Sequence, residues 1–184
     1  NLYTLLSARM LTDACGLPSL NCITNAGGKF LLIIHDTPDC CNALNETKAS
    51  IEMWTFENFF GELKIIIDDG VPFEYAGFSI KNFQKVMQRS SESLNRCKLR
   101  PFSQLLPDSK SFVDNNRFSE FQKFGSCKLC GHEPGQKEKN RAILGNNCFD
   151  AIVTGQKVTK NNFVIIKKDS QKILGHYNVE YNDK

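Results

Sequence analysis

Leu20-Asn21-Cys22-Ile23-Thr24-Asn25-Ala26-Gly27-Gly28-Lys29-Phe30-Leu31-Leu32-Ile33-Ile34 is the stretch on which the fold turns. Two strand-like runs, Leu20 to Thr24 and Phe30 to Ile34, are separated by Asn25-Ala26-Gly27-Gly28. Glycine takes positive φ at no steric cost, so the four residues predict a turn and the whole stretch a β-hairpin. Working toward the N-terminus, Leu2, Leu6, Met10 and Ala14 recur every four residues with Leu5 beside them. Gly16 and Pro18 then act as a stop, so residues 2–15 predict an amphipathic helix. Toward the C-terminus, Thr37 can cap a helix that has Pro38 at its first position and Asp39 in its first turn. Cys40, Cys41, Leu44, Ile51 and Trp54 supply its buried face until Gly61 breaks it, and Leu63 to Ile67 reads as another strand.

Helix, strand, strand, helix, strand makes up five of the six elements of the βαββαβ ferredoxin-like plan, an α+β fold in which an antiparallel sheet carries two helices on one face. The first strand is expected before Asn1, because the chain opens on Asn1-Leu2-Tyr3-Thr4 with neither an initiator Met nor a signal-peptide pattern. Nucleotidyl-cyclase and polymerase palms share this plan, and in them the hairpin can carry carboxylates that hold metal near a nucleotide's phosphates. Here the hairpin reads Ala26-Gly27-Gly28-Lys29-Phe30, which keeps the glycines and lacks the acidic pair.

Residues 1–78 are therefore expected to form a palm of this plan without catalytic carboxylates, which the resemblance given below implies to be the first, non-catalytic one of two. Ser79 to Leu99 predicts a helix with Ile80, Phe83, Val86, Met87 and Leu94 as its apolar positions, and Pro101, Pro107, Ser109 and Ser111 mark a connector, giving a helical linker over 79–120. A cysteine-rich insert follows over 121–155. Phe163 to Ile166 and Tyr177 to Tyr181 flank Lys168-Asp169-Ser170-Gln171 as two strands of a further sheet, assigned to 156–184.

A content of 41% hydrophobic and 23% charged residues is that of an ordinary globular protein. No apolar run reaches the roughly 20 residues that span a bilayer, so no membrane partner is expected and a cytoplasmic location is. A net charge of +3 does not by itself argue for nucleic acid, and the basic run Lys157, Lys160, Lys167, Lys168 and Lys172 reads as a solvated surface. Eight cysteines, with Asn45-Glu46-Thr47 as a glycosylation acceptor, raise a rival reading as a secreted, disulfide-linked binding domain. The Cys127-Lys128-Leu129-Cys130 spacing suits a metal better: both thiolates can reach one tetrahedral zinc, and Cys148 can be a third across the intervening loop. Three packed thiols without metal are the alternative.

The order of these pieces resembles the large, palm-domain subunit of the type III CRISPR interference complex, of the Csm kind. The residues that carry the resemblance are Leu17 to Ile34, the aromatic-Gly-Glu-Leu step Phe59-Phe60-Gly61-Glu62-Leu63, Lys98 to Phe102, and Cys127 to Gly131. It implies an HD nuclease domain that cleaves single-stranded DNA, a first palm, a zinc-binding insert, and a second palm that makes cyclic oligoadenylates from ATP with a divalent metal. The partners implied are other CRISPR complex subunits, CRISPR RNA and target RNA, and single-stranded DNA through the parent subunit. The resemblance also places Lys172 to Tyr177 near the opening of the second palm and implies a second Cys-x-x-Cys pair. Ala151 stands three residues after Cys148, so the fourth ligand is missing there, and His132 or Cys97 are the substitutes.

By this reading the segment is scaffold and one wall of the nucleotide site, enzymatically inactive alone. Gly27 and Gly28 admit two readings, a tight hairpin or a backbone that a nucleotide approaches, with Lys29 offsetting phosphate charge. His35 with Asp36 is expected to close a strand and cap a turn, and His176 to be a strand residue. Pro38-Asp39 with Glu62-Leu63-Lys64 matches the spacing of a PD-(D/E)xK nuclease, but Pro38 opens a helix. A papain-like protease would need its nucleophilic Cys at the head of a helix, and Cys22 falls in a strand.

Overall fold

The structure is a computed structural model that describes residues 2–103, 105, 115–160, 164–174 and 177–181, and its class is α+β. The chain divides into two units, Asn1–Asp108 with Gln171–Gly175 and Ser109–Ser170 with His176–Lys184.

In the first unit, helix α1 (Leu2–Ala14) leads into the hairpin of β1 (Cys22–Ala26) and β2 (Lys29–Leu32). The strands pair antiparallel, Asn25 opposite Phe30 and Ala26 opposite Lys29, with an irregularity between Cys22 and Thr24. Gly27 and Gly28 have φ of 61° and 75°, so the two-residue turn has the doubly positive φ that matches the right-handed twist of its strands. Helix α2 (Pro38–Phe59) starts as expected: Thr37 Oγ1 accepts from the Cys40 N–H at 3.4 Å, and Pro38 occupies the first turn, where its missing N–H costs nothing. Phe60 in the left-handed region (φ 51°) and Gly61 (φ 86°) end it.

Helix α1 packs on α2 and on β2. Leu6, Met10 and Leu11 from α1 and Cys40, Leu44 and Ile51 from α2 are buried, and Leu6 and Ile51 are wholly so. Each such side chain contributes about 1.5–3 kcal/mol relative to exposure. Tyr3, Trp54 and Phe59 close one end of the helix pair, their ring centroids 5.6–5.8 Å apart in tilted and edge-on contacts. The buried face is broader and more polar than the apolar periodicity suggests. Ser7 and Thr12 on α1, and Thr47, Lys48, Glu52 and Thr55 on α2, are buried beside the aliphatic residues, while Leu5 is exposed.

Leu63 to Ile67, expected as the next strand, is not one. A strand exists by its ladder, and none of the described strands pairs with this segment. Ile65 and Ile67 are nevertheless buried, so the segment is held by its side chains. Two carboxylates that follow are tied back: Asp69 pairs with Lys48 Nζ at 2.7 Å, and Asp68 accepts from Ser93 Oγ at 2.8 Å and Cys97 Sγ at 3.1 Å. The last two contacts anchor helix α3 (Ile80–Cys97), close to the expected bounds of 79–99.

The second unit holds α4 (Asn115–Phe124), the antiparallel hairpin of β3 (Lys137–Lys139) and β4 (Ala142–Leu144), and α5 (Asn146–Lys160). Strands β5 (Val164–Ile173) and β6 (Tyr177–Tyr181) pair in a third sheet, where Lys167 Nζ meets Glu180 Oε2 at 2.6 Å. Lys168 to Gln171, expected to lie between the two strands, is instead part of the body of β5, and Leu174, with φ of 54°, begins the reversal. Of the connector residues, Pro107, Ser109 and Ser111 lie outside the described residues, as do Phe163 and His176. Among the described residues, no helix is long and apolar enough to cross a membrane.

Candidate metal centre

Three backbone reversals bring Cys127, Cys130 and Cys148 together. Gly125 (φ 70°) ends α4, and a single bridge between Ser126 and Pro134 closes the loop around Cys127-Lys128-Leu129-Cys130-Gly131. Within that loop the Gly131 N–H donates to the Cys127 carbonyl at 3.0 Å, with Gly131 at φ 74°, a conformation costly for any residue with a Cβ. The Lys128 N–H donates to the Ile143 carbonyl and the Gln136 N–H to the Leu144 carbonyl, which fixes the β3–β4 hairpin against the loop. The hairpin then delivers the chain through Gly145 to the first turn of α5, where Cys148 stands. Glu133 Oε2 accepts from the Asn147 N–H at 3.1 Å, so a carboxylate borrowed from the loop satisfies one orphan donor of the helix start. Gly145 leaves room for that carboxylate: a Cβ there would lie 2.1 Å from Glu133 Oε2 and 2.4 Å from its Cβ.

The three sulfurs lie within 4.8 Å of one another. Backbone donors already face two of them, Leu129 N–H to Cys127 Sγ and His132 N–H to Cys130 Sγ, each at 3.4 Å. Such donors favour thiolate over thiol. Burial pushes the Cys127 thiol up, but N–H groups of Cys130, Gly145 and Leu129, with the Cys130 thiol, outweigh it and bring it to about 7. Burial and hydrogen bonds to Cys130 and Cys127 push Cys148 in the other direction, to about 12. One readily ionised sulfur beside a second that keeps its proton is a hydrogen-bonded thiol cluster, which a soft divalent cation would convert to thiolates by displacing protons. Zinc fits the donor set: bonds of about 2.3 Å put tetrahedral sulfurs roughly 3.8 Å apart, a small closure of the spacing present.

The other expected site residues fall as follows. His132 is exposed, its carbonyl accepts from the Arg117 guanidinium, and the mutually close donor group is the three thiols without its ring. Cys97 is engaged with Asp68 in the first unit. Gly27 and Gly28 form the exposed hairpin tip, and a Cβ on Gly27 would meet nothing within 4 Å. Lys29 is exposed at the start of β2, and His35 is exposed before α2. Asp39 sits in the first turn of α2, as expected on the reading against a nuclease. All eight cysteines are free thiols. Two site features escaped the sequence reading: the capping carboxylate of Glu133, and the placement of Cys148 on a helix.

Residues 2–117 match the family model described as Csm1 subunit domain B. This chain belongs to the Csm1 domain B family. A curated Csm1 relative, the "CRISPR system single-strand-specific deoxyribonuclease Cas10/Csm1 (subtype III-A)" of Thermococcus onnurineus (strain NA1), is 28% identical over 123 residues, which are 64% of this chain and 15% of that protein. The crystal structure of a Csm1-Csm4 cassette in complex with pppApApA aligns at TM-score 0.54 and 26% identity, covering 58% of this chain and 15% of that one. A second Csm1-Csm4 cassette, in complex with pppApA, aligns at TM-score 0.48 and 25% identity over 56% of this chain. The chain thus spans about 15% of the length of the Csm1 relatives it matches. The thiol cluster lies past the last residue of the domain B match.

Proposed function

We propose that this chain is part of the large subunit of a cytoplasmic, RNA-guided type III CRISPR antiviral complex, in which residues 1–78 form a non-catalytic palm that walls one side of a nucleotide site. The parent subunit cleaves single-stranded DNA and makes cyclic oligoadenylates from ATP, and its partners are the other complex subunits, CRISPR RNA and target RNA. The observation that carries this reading is the domain B match across residues 2–117, with the alignment to a Csm1-Csm4 cassette holding pppApApA in support. The hairpin's chemistry agrees. Its tip presents two glycines and one lysine, so phosphates meet little steric bulk and one positive charge, and no carboxylate is present there to hold a divalent cation. Residues 79–120 act as linker, 121–155 as an insert held by zinc on Cys127, Cys130 and Cys148, and 156–184 as the start of the second palm. Zinc there supplies a structural cross-link, and His132 is the nearest residue in sequence to complete the set.

The test uses the full-length parent subunit assembled with its Csm4 partner and target RNA. Replacing both hairpin glycines with a bulkier residue that tolerates positive φ, Gly27→Asn with Gly28→Asn, should lower oligoadenylate synthesis from ATP about tenfold, equivalent to ~1.4 kcal/mol. Assembly and target RNA binding should be unchanged. Unaltered synthesis in an assembled complex would remove the hairpin from the nucleotide site.

A further inference from the structure

We infer that Cys15 and Cys40 are a reversible disulfide site, through which a peroxide staples the end of α1 to the start of α2. Both thiols stand on backbone that is locked in place. At the end of α1 the Gly16 N–H donates to the Asp13 carbonyl at 3.1 Å and the Leu17 N–H to the Thr12 carbonyl at 2.8 Å. With Gly16 at φ 64°, this is a left-handed stop, and Cys15 is the last residue before it. Cys40 is held by its own N–H, which donates to Thr37 Oγ1 in the cap of α2. Between these two anchors Cys15 Sγ lies 3.7 Å from the Cys40 carbonyl oxygen, and a further hydrogen bond joins the two thiols. The contact belongs to the α1–α2 seam, where Cys40 is 6% exposed, so it does not rest on an open face of the molecule.

Two thiols packed together can be mere apolar filling. This pair differs in being singled out by its neighbours. Cys41 Sγ is turned to the Asp36 carboxylate at 3.8 Å, Cys22 Sγ to the Thr24 carbonyl at 3.5 Å, and Cys97 Sγ to Asp68 at 3.1 Å. Consecutive residues of a helix do not face each other, so Cys40 and Cys41 cannot bridge. Cys15 and Cys40 are thus the two thiols of the first unit that meet across elements, and side-chain rotation on their capped backbones should close them to the S–S length of about 2.05 Å.

The chemistry balances with a peroxide as the oxidant. The Cys40 sulfur attacks one peroxide oxygen; the S–O bond forms, the O–O bond breaks, and the Cys40 proton leaves with the departing oxygen as water. Cys40 is then a sulfenic acid. Cys15 Sγ attacks that sulfur, the S–S bond forms and the S–O bond breaks. Burial and Cys40 push the Cys15 thiol up to about 12, so it retains the proton that the departing hydroxyl needs to leave as a second water. Two thiols have lost two electrons and two protons, and the peroxide has become two waters. The burial of Cys40 makes the reaction slow and shields the product from bulky reductants, while a small dithiol reverses it by exchange.

Residues 16–39, which the bond would enclose, contain the whole β1–β2 hairpin. Oxidation therefore ties both roots of the hairpin to the helix pair and removes freedom from the unfolded chain. The bond forms or fails irrespective of what the hairpin binds.

The full chain, treated with excess hydrogen peroxide, alkylated with N-ethylmaleimide and digested without reduction, provides the test. Mass spectrometry should find the Cys15 and Cys40 peptides linked, two hydrogens lighter than the sum of the free pair, in most molecules. Dithiothreitol should release them. The oxidised chain should melt roughly 10 °C above the reduced one. Cys15→Ala and Cys40→Ala should lose both link and rise, and treating them alike cancels any oxidation of the second unit's thiols. Cys41→Ser should keep both. No linked peptide from the folded chain, linkage of Cys15 to Cys41 or Cys22 instead, linkage only between two chains, or a link that leaves the midpoint unchanged would each overturn the site. Circular dichroism before oxidation confirms that every variant retains its helices.

Discussion

Lys48 has 7% of its side chain exposed and its partner Asp69 has 65%, so the two ends of one ion pair experience different solvents. Removing either partner therefore has unequal results. Asp69→Asn leaves a buried ammonium without its counter-charge, and should cost about 3 kcal/mol. Lys48→Met leaves a carboxylate that water already reaches and puts an apolar chain of similar length where the ammonium stem lies, so the loss should be about 1 kcal/mol or less. Chemical denaturation of the two variants gives the comparison, and a larger loss in Lys48→Met would reverse the assignment.

Cys15 supplies a second effect at the same scale. Burial, then a hydrogen bond with Cys40 and the proximity of Cys40 and Cys41, push its thiol from an ordinary value of 9.0 to about 12. An acid that holds its proton more tightly when folded favours the fold while the unfolded thiol is also protonated, and that contribution is lost as pH rises from about 9 toward 12, because only the unfolded chain ionises there. Thermal midpoints should fall across that window, and Cys15→Ser should flatten the fall.

At the scale of elements, helix α2 is held at its start by one cap. Thr37→Ala should lower stability by about 1 kcal/mol and Thr37→Ser by much less, as read from urea midpoints. This cap was legible in the sequence because capping chemistry is local: a hydroxyl residue, a proline and an acidic residue in order define a helix start without reference to the rest of the chain. The Gly27-Gly28 turn was legible for the same reason. Leu63 to Ile67 was not, because its run of apolar, β-branched residues reports burial, and burial of Ile65 and Ile67 did arise, while pairing depends on a neighbour that no local pattern encodes. Helix α5 was missed because Ile152, Val153, Thr154 and Gly155 are weak helix formers, and its start depends on Glu133, thirteen residues before the helix begins at Asn146. The Lys168-Asp169-Ser170-Gln171 run has turn composition yet lies inside β5, a case of pairing overriding local preference. The sulfur cluster was readable from Cys-x-x-Cys spacing, and the proximity of Cys148 to it depended on the hairpin between them.

On the scale of the whole molecule, the two units differ in what holds them. The first has a helix pair with a wholly buried Leu6, Leu11 and Ile51, while the second has short strands around three thiols. Zinc bound there would be folding energy for the second unit alone. Chelation of the metal-loaded chain should therefore remove amide-exchange protection from residues 125–150 while α1 and α2 keep theirs. Metal analysis should give one zinc per chain, falling sharply in Cys127→Ser and Cys148→Ser; loss of protection throughout, or metal retained in those variants, would argue against that division.

The seam between α1 and α2 hides hydroxyls and charges, Ser7, Thr12, Thr47, Lys48, Glu52 and Thr55, among its leucines and isoleucine. Wetting apolar atoms raises heat capacity and wetting polar atoms lowers it. Melting this unit should then absorb less than the usual ~12–15 cal/mol/K per residue, a deficit that scanning calorimetry would register. Its free energy would vary gently with temperature, leaving the helix pair nearly as firm near freezing as in warmth.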